Sequence, residues 1–274
     1  MKYQIFKDKI IVFDKEDFDA LQILECGQFF AYQKIENGFD VFSQDKYARV
    51  IETDKGYEII TDSPHYFEDF FDLKNDYSKI KNKLSGYEIL RKPIEFGHGI
   101  RILKQDLFEV LISFILSANN NIKRFSKTLF KMREKFGKRM SGYFAFPTRK
   151  QLLLATEQDF VELGAGYRAK YLYNVLRQVD ENTLEEWRSL ETKTLRNKLI
   201  SLSGVGPKVA DCVLLFGYHR QDVFPVDTWI EQMYHKFYGD KEKNREKIRE
   251  FLVGEFGELS GYAQQYLFFF MREN

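Results

Sequence analysis

The chain has 274 residues, 44% of them hydrophobic and 16% aromatic, with 42 Lys and Arg against 41 Asp and Glu for a formal net charge of +1. That hydrophobic fraction supports a packed core and excludes an intrinsically disordered chain, while the near-neutral balance requires any nucleic-acid footprint to be local. The two cysteines, Cys26 and Cys212, exclude a four-cysteine zinc site and a cysteine-ligated iron–sulfur cluster and fit a reduced intracellular protein.

The first residues, MKYQIFKDKIIVF, lack the uninterrupted apolar core of a signal peptide. No run reaches transmembrane length, so the expectation is a soluble, cytoplasmic protein without a membrane partner. Residues 1 to about 62 read mostly as strands. Ile10–Phe13 is a short apolar run, and Asp17 to Leu24 reads as a short helix. Phe29–Ile35 and Phe39–Phe42 flank Glu36-Asn37-Gly38, and Asn-Gly is a strong hairpin signal. Tyr47–Thr53 and Tyr57–Thr61 flank a second turn, Asp54-Lys55-Gly56. Repeated hairpins predict an antiparallel sheet with one face packed and one wet. Asp62-Ser63-Pro64 breaks this pattern, Phe67–Leu73 is aromatic and acidic, and Tyr77–Leu84 is helical. The composition shifts at Gly97-His98-Gly99. The expected organisation is therefore α+β, with an antiparallel sheet domain over 1–98 and an all-helical domain over 99–274.

From Gln105 onward the chain is nearly all helical in pattern, broken near Gly137, Pro147, Gly164–Gly166 and Gly204–Gly206. Leu111, Ile112, Ile115 and Leu116 mark an apolar helix that ends in Asn119-Asn120-Asn121, three amides that suit a helix end better than its interior. Residues 123–139 carry Lys123, Arg124, Lys127, Lys131, Arg133, Lys135, Lys138 and Arg139 against the single acid Glu134. Such a run is either a solvated helix face or a phosphate track.

The richest stretch runs from Leu195 to Ile230. Leu195, Leu199 and Leu202 fall at helical spacing. Ser203-Gly204-Val205-Gly206 then forces a tight reversal, and Pro207 opens a second, apolar helix over Val209–Phe216. A helix–hairpin–helix of this kind offers backbone N–H groups at Gly204 and Gly206, and a helix N-terminus, to an anion such as a DNA phosphate. Lys208 lies in the first turn of the second helix, where the helix dipole disfavours an ammonium and a neutral amine would be a nucleophile. Asp227 follows Pro225-Val226 and precedes the helical pattern Ile230, Met233, Tyr234, Phe237, so it reads as an N-cap whose hydrogen bonds favour the carboxylate. A neutral amine beside a persistent carboxylate suits attack on a sugar carbon that develops positive charge. A solvated lysine and a simple cap are the plainer alternatives.

The segment Leu202–Asp211 (LSGVGPKVAD), followed by Val223-Phe224-Pro225-Val226-Asp227, resembles the helix-hairpin-helix/Gly-Pro-Asp superfamily of DNA glycosylases. Gly99–Asp106 (GIRILKQD), Ser117–Ile122 (SANNNI), Gly166–Ala169 (GYRA) and Gly261–Phe268 (GYAQQYLF) are similar to its 8-oxoguanine DNA glycosylase branch. The resemblance covers roughly residues 20 to 270. It implies Lys208 as nucleophile and Asp227 as the carboxylate that stabilises the developing charge. It also implies that Asn119 fills the gap left by an extruded base, that Arg124 and Arg168 contact the orphaned cytosine, and that Tyr167 is a wedge beside it. Gln264 would bind the Watson–Crick edge of the flipped base, with Phe268 and Cys212 on its two faces. Gly27 would place a backbone carbonyl against the base, where the N7–H of 8-oxoguanine is attracted and the N7 lone pair of guanine is repelled. Some members of the superfamily carry an iron–sulfur cluster, which this chain cannot. The chemistry requires no cofactor. At most the resemblance implies a structural monovalent or divalent cation at the hairpin, on the main-chain carbonyls of Ile200, Leu202 and Val205.

Two positions depart from the eukaryotic pattern. Trp229 stands two residues past the aspartate where a histidine is found, and Met271 stands three past Phe268 where an aspartate is found. The expected activity is a monomeric, bifunctional DNA glycosylase/AP lyase that excises 8-oxoguanine opposite cytosine from double-stranded DNA and works at the nucleoid. An alkylated-base glycosylase and a non-enzymatic helix-hairpin-helix DNA-binding module are the alternatives. Lys208 argues against the first, and Asp227 with Gln264 and Phe268 against the second.

Overall fold

The computed structural model describes residues 1–274. Strands β1 (Tyr3–Ile5), β2 (Lys9–Val12), β3 (Tyr32–Ile35), β4 (Gly38–Ser43), β5 (Lys46–Thr53) and β6 (Gly56–Ile60) form one antiparallel sheet in the order β1-β2-β6-β5-β4-β3. The two expected hairpins are present. Ile35 pairs with Gly38 around Glu36-Asn37, and Thr53 pairs with Gly56 around Asp54-Lys55. Between β2 and β3 lies α1 (Ala20–Glu25), whose N-cap Asp19 accepts the Gln22 N–H. Then follow α2 (Pro64–Phe70), α3 (Tyr77–Leu84), α4 (Glu88–Phe96), α5 (Leu107–Ser117), α6 (Ile122–Phe136), α7 (Arg149–Leu152), α8 (Glu157–Leu163) and α9 (Arg168–Gln178). The chain closes with α10 (Glu181–Glu186), α11 (Thr192–Ile200), α12 (Pro207–Phe216), α13 (Thr228–Tyr238), α14 (Arg245–Phe256) and α15 (Ser260–Glu273). No helix is long and apolar enough to cross a membrane.

Two hydrophobic cores result. Alternate sheet residues Ile10, Val12, Val41, Ala48, Val50 and Ile59 point inward and pack on Phe18, Phe67, Phe70 and Phe71, as one-sided burial of an antiparallel sheet requires. The larger core surrounds α5, which is buried from Leu107 through Leu116 and is accordingly apolar on nearly every side.

The structure departs from expectation in three places. First, Phe29–Ala31 does not join β3. Gln28 is fully buried; its amide donates to the Ile23 carbonyl (3.0 Å) and the Arg101 carbonyl (2.7 Å) and accepts the Leu103 N–H (2.8 Å). These bonds hold Phe29 and Phe30 in the joint between the cores, while the Ala31 carbonyl still accepts the Phe42 N–H of β4 at 2.9 Å. Second, the cores do not divide at residue 98. Tyr77, Ile80, Leu84, Leu90 and Ile94 of α3 and α4 pack into the helical core. In the joint loop, Cys26 and Phe30 belong to the helical core while Leu24, Phe29 and Ala31 belong to the sheet core. Third, the basic run on α6 is not all solvent-facing. Arg133 is buried, pairs with buried Glu109 of α5, and donates to the Phe42 carbonyl of β4 (3.2 Å). Burial pushes the Glu109 carboxyl up, opposed by the Arg133 charge. Arg133 is thus a tie between sheet and helices, removed from any phosphate track.

A second buried cation completes the joint. Arg101 is fully buried, donates to the carbonyls of Phe71, Asp17 and Asn75 (each 2.9 Å), and stacks on the Tyr77 ring at 4.0 Å. The rigid guanidinium fork suits several carbonyls at once.

Candidate active site

The hairpin forms where its glycines predict. Leu195, Leu199 and Leu202 are all buried, and the chain reverses through Gly204 at φ +81°. A Cβ at Gly204 would stand 2.6 Å from the Tyr171 Cβ on α9, so no side chain fits between hairpin and α9. Gly206 is the N-cap of α12 and has open space where a Cβ would be, with Pro207 in the first turn. Side-chain charge fixes the position of α12: its buried Asp211 is held by Arg196 of α11 (2.7 and 3.1 Å) and Arg249 of α14 (3.2 and 3.1 Å).

Lys208 is half-buried in the first turn of α12, its Nζ 5.3 Å from the centre of the Phe114 ring on α5. Cys212 lies one turn further on and is buried. Burial pushes its thiol up to about 11, opposed by the Lys208 charge. Asp227 caps α13 as expected, accepting the Ile230 N–H at 3.0 Å.

Residues far apart in sequence meet here. Gly27, Lys208, Cys212, Asp227, Gln264 and Phe268 line one narrow pocket of about 20 Å³. It opens into a groove of about 570 Å³ that also carries Asn119, Gly204, Gly206, Trp229, Arg245 and Arg272. Gln264 is 5% exposed, and its buried Oε1 has no hydrogen-bond partner in the chain. An unpaired buried acceptor is costly, so a donor from a ligand is the natural complement. Gly27 has φ +84°, and a Cβ there would meet the Phe268 ring at 2.8 Å. Both conformation and space require glycine.

The groove's rim is built differently. Asn119 is exposed at the loop tip with φ +48°, Asn120 donates to the Leu116 carbonyl at 3.0 Å, and Asn121 caps α6. Arg124 is exposed in the first turn of α6. Tyr167 is 57% exposed and packs edge-on against Tyr171, the residue that covers Gly204. Arg168 differs from expectation. It is buried beneath the loop, and its guanidinium donates to the carbonyls of Ala118 (2.8 Å) and Asn119 (2.6 Å). Here it supports the loop rather than facing the groove.

Trp229 is 39% exposed at the groove, whereas Met271 packs against the helical core. The carbonyls of Ile200 and Val205 receive no bond from the chain, and that of Leu202 accepts the Val205 N–H at 3.1 Å. A carbonyl has two lone pairs, so this neutral oxygen set fits an oxygen-liganded cation. Sequence reasoning missed Phe114, Gln265 and the groove arginines Arg245 and Arg272. Phe114 sits in a continuous apolar helix and carries no distinguishing signal.

Residues 112–257 match the HhH-GPD superfamily base excision DNA repair protein family, and the chain belongs to it. Residues 10–111 match the N-terminal domain of 8-oxoguanine DNA glycosylase. Among solved structures, the chain resembles the Clostridium acetobutylicum 8-oxoguanine glycosylase/lyase bound to double-stranded DNA with cytosine opposite 8-oxoguanine. That match has a TM-score of 0.95 and 38% identity, and covers 100% of this chain and 98% of the other. A probable N-glycosylase/DNA lyase of Methanothermobacter thermautotrophicus is 29% identical over 74% of this chain and 72% of its own length. The N-glycosylase/DNA lyase of Saccharomyces cerevisiae is 35% identical over 62% of this chain and 56% of its own length.

Proposed function

We propose that this protein is a bifunctional DNA glycosylase/AP lyase of base excision repair that removes 8-oxoguanine opposite cytosine from duplex DNA. The observation that carries this reading is the unpartnered Oε1 of Gln264, buried in a pocket whose walls also hold Lys208 and Asp227. A purine extruded from the stack brings N–H donors on its Watson–Crick edge to that acceptor. Phe268 and Cys212 cover its faces, and the Gly27 carbonyl accepts N7–H, which 8-oxoguanine has and guanine lacks. The pocket as it stands has no room for a purine, so Phe268, which is only partly buried, swings aside on entry.

Lys208 attacks C1′ of the deoxyribose through the lone pair of its Nζ. The glycosidic C–N bond breaks with its electron pair on the base. The Asp227 carboxylate stabilises the positive charge that develops on the sugar. The proton lost from nitrogen passes to the departing base anion, and the ring opens with O4′ taking up a proton to give a protonated Schiff base. β-Elimination then removes a C2′ proton to water as the C3′–O bond breaks with its electron pair on the phosphate, nicking the strand 3′ to the abasic sugar. A hairpin cation on the carbonyls of Ile200, Leu202 and Val205 would supply charge toward a backbone phosphate. Asn119 fills the vacated stack, and Tyr167 wedges beside it. Arg124 reaches the orphaned cytosine, and Arg168 can join it on leaving the loop carbonyls. The protein acts as a monomer in the cytoplasm.

Borohydride trapping on an 8-oxoguanine:cytosine duplex, beside undamaged and alkylated duplexes, tests the proposal. A covalent adduct on the oxidised duplex that disappears in Lys208→Gln is expected. Base release without an adduct would remove Lys208 as nucleophile, and an adduct only on the alkylated duplex would replace the substrate.

A further inference from the structure

The loop that carries Gly27 is held in an uneven way. The Glu25 carbonyl accepts from Arg272 Nη2 (2.5 Å), the Cys26 carbonyl from Gln265 Nε2 (2.7 Å), and the Gln28 carbonyl from Gln105 Nε2 (2.9 Å). Of the four consecutive carbonyls, only that of Gly27 receives no donor from the chain. The Gln28 side chain is itself locked on both its amide nitrogen and its oxygen. Gly27 is the one residue of the loop whose backbone could turn freely, and its neighbours on both sides are clamped.

Gln265 is the unexplained member of this clamp. It is 1% exposed, follows Gln264 on α15, and lines the same pocket. Its one side-chain hydrogen bond goes to the Cys26 carbonyl. That carbonyl belongs to the peptide plane that enters Gly27, so the bond fixes the plane from which the Gly27 carbonyl is aimed. A carbonyl that must tell a hydrogen from a lone pair on one ring nitrogen discriminates only if it cannot rotate away from the repulsive partner. We propose that Gln265 is a specificity-positioning residue: by holding the Cys26 carbonyl it prevents the Gly27 carbonyl from turning aside, and so sustains rejection of undamaged guanine. This rests on the reading of Gly27 given above.

The test uses the full chain and equilibrium binding to four duplexes: 8-oxoguanine:cytosine, guanine:cytosine, 7-deaza-8-oxoguanine:cytosine and a tetrahydrofuran abasic analogue. Wild type should prefer 8-oxoguanine over its 7-deaza analogue, which lacks the N7–H. If it does not, the Gly27 reading itself falls, and the inference with it. Gln265→Met keeps the volume but removes the donor. It should lower the 8-oxoguanine to guanine affinity ratio by about fivefold or more, with abasic affinity unchanged. An unchanged ratio, or equal weakening on all four duplexes, would overturn the role of Gln265 while leaving Gly27 in place. Gln265→Glu provides a second variant. Burial pushes a carboxyl up at this site, and its protonated form is a donor while its carboxylate is not, so discrimination should be kept at low pH and fall as the carboxyl ionises. Poor discrimination at low pH, or discrimination kept once the carboxyl has ionised, would also overturn the proposal.

Discussion

Two polar loops face the same groove and are built on opposite plans. The Glu25–Gln28 loop is sunk between two cores, and three side chains from two other segments hold its carbonyls. The Asn119–Asn121 loop stands in solvent, bends through a left-handed asparagine, and is underpinned by Arg168. On the proposed function, the first is a wall that measures one hydrogen atom and must not yield, whereas the second enters a duplex and must fit whatever base step it meets. The contrast implies a division of labour. Changes at the pocket should act on lesion selectivity and on turnover of bound DNA, and changes at the rim on affinity for any duplex.

Substitutions at three positions test that division. Asp227→Asn has the largest expected effect, a fall of about 10²- to 10³-fold in single-turnover excision. The asparagine still caps α13, so the thermal midpoint should hold to within a few degrees. Near-normal turnover would take Asp227 out of the chemistry and remove the strongest case on the pocket side. Gly27→Ala places a methyl group at a left-handed φ against Phe268, at a strain of about 1–3 kcal/mol. Excision should drop about tenfold or more while binding to an abasic duplex persists. Arg168→Ala removes charged hydrogen bonds worth about 1.5–3 kcal/mol from beneath the rim loop. Duplex affinity should weaken about tenfold with the rate at saturating DNA nearly kept; an equal loss in rate would erase the distinction between the loops.

The smallest effect concerns the thiols. Burial pushes both Cys26 and Cys212 up to about 11. At pH 8 iodoacetamide should label neither in the native protein and both after denaturation. Rapid native labelling of Cys212 alone would mean that the pocket opens without substrate. Between the unfolded thiol value, about 8.5, and about 11, the native state retains protons that the unfolded chain releases. The thiols therefore subtract stability as pH rises through that window.

The hairpin half of this arrangement was legible because backbone chemistry marks it. Two glycines and a proline place the hairpin, and an isolated aspartate before a helical repeat places the cap. Lys208, Cys212 and Asp227 stand where those signals put them. The sheet was legible from its two turns, although three-residue β1 was too short to announce itself. What escaped depends on contacts distant in sequence. Phe29–Ala31 has strand composition, but Gln28 is claimed by Arg101 and Leu103. Arg133 looks like its exposed neighbours until Glu109 is seen opposite it. Arg168 carries the expected residue type, yet local sequence does not say whether a guanidinium turns toward solvent or under a loop. Gln265 is invisible for the same reason, since its only side-chain hydrogen bond spans nearly the whole chain.

The alternation in the joint loop has one more consequence. Cys26 and Phe30 are packed by the helical core, and Leu24, Phe29 and Ala31 by the sheet core. Melting either core strips support from the same few residues, so the two layers are stitched into one cooperative unfolding unit. The Gly27 side of the pocket, unlike the Phe268 side, then has no cheap opening of its own: moving that loop costs contacts in both cores at once.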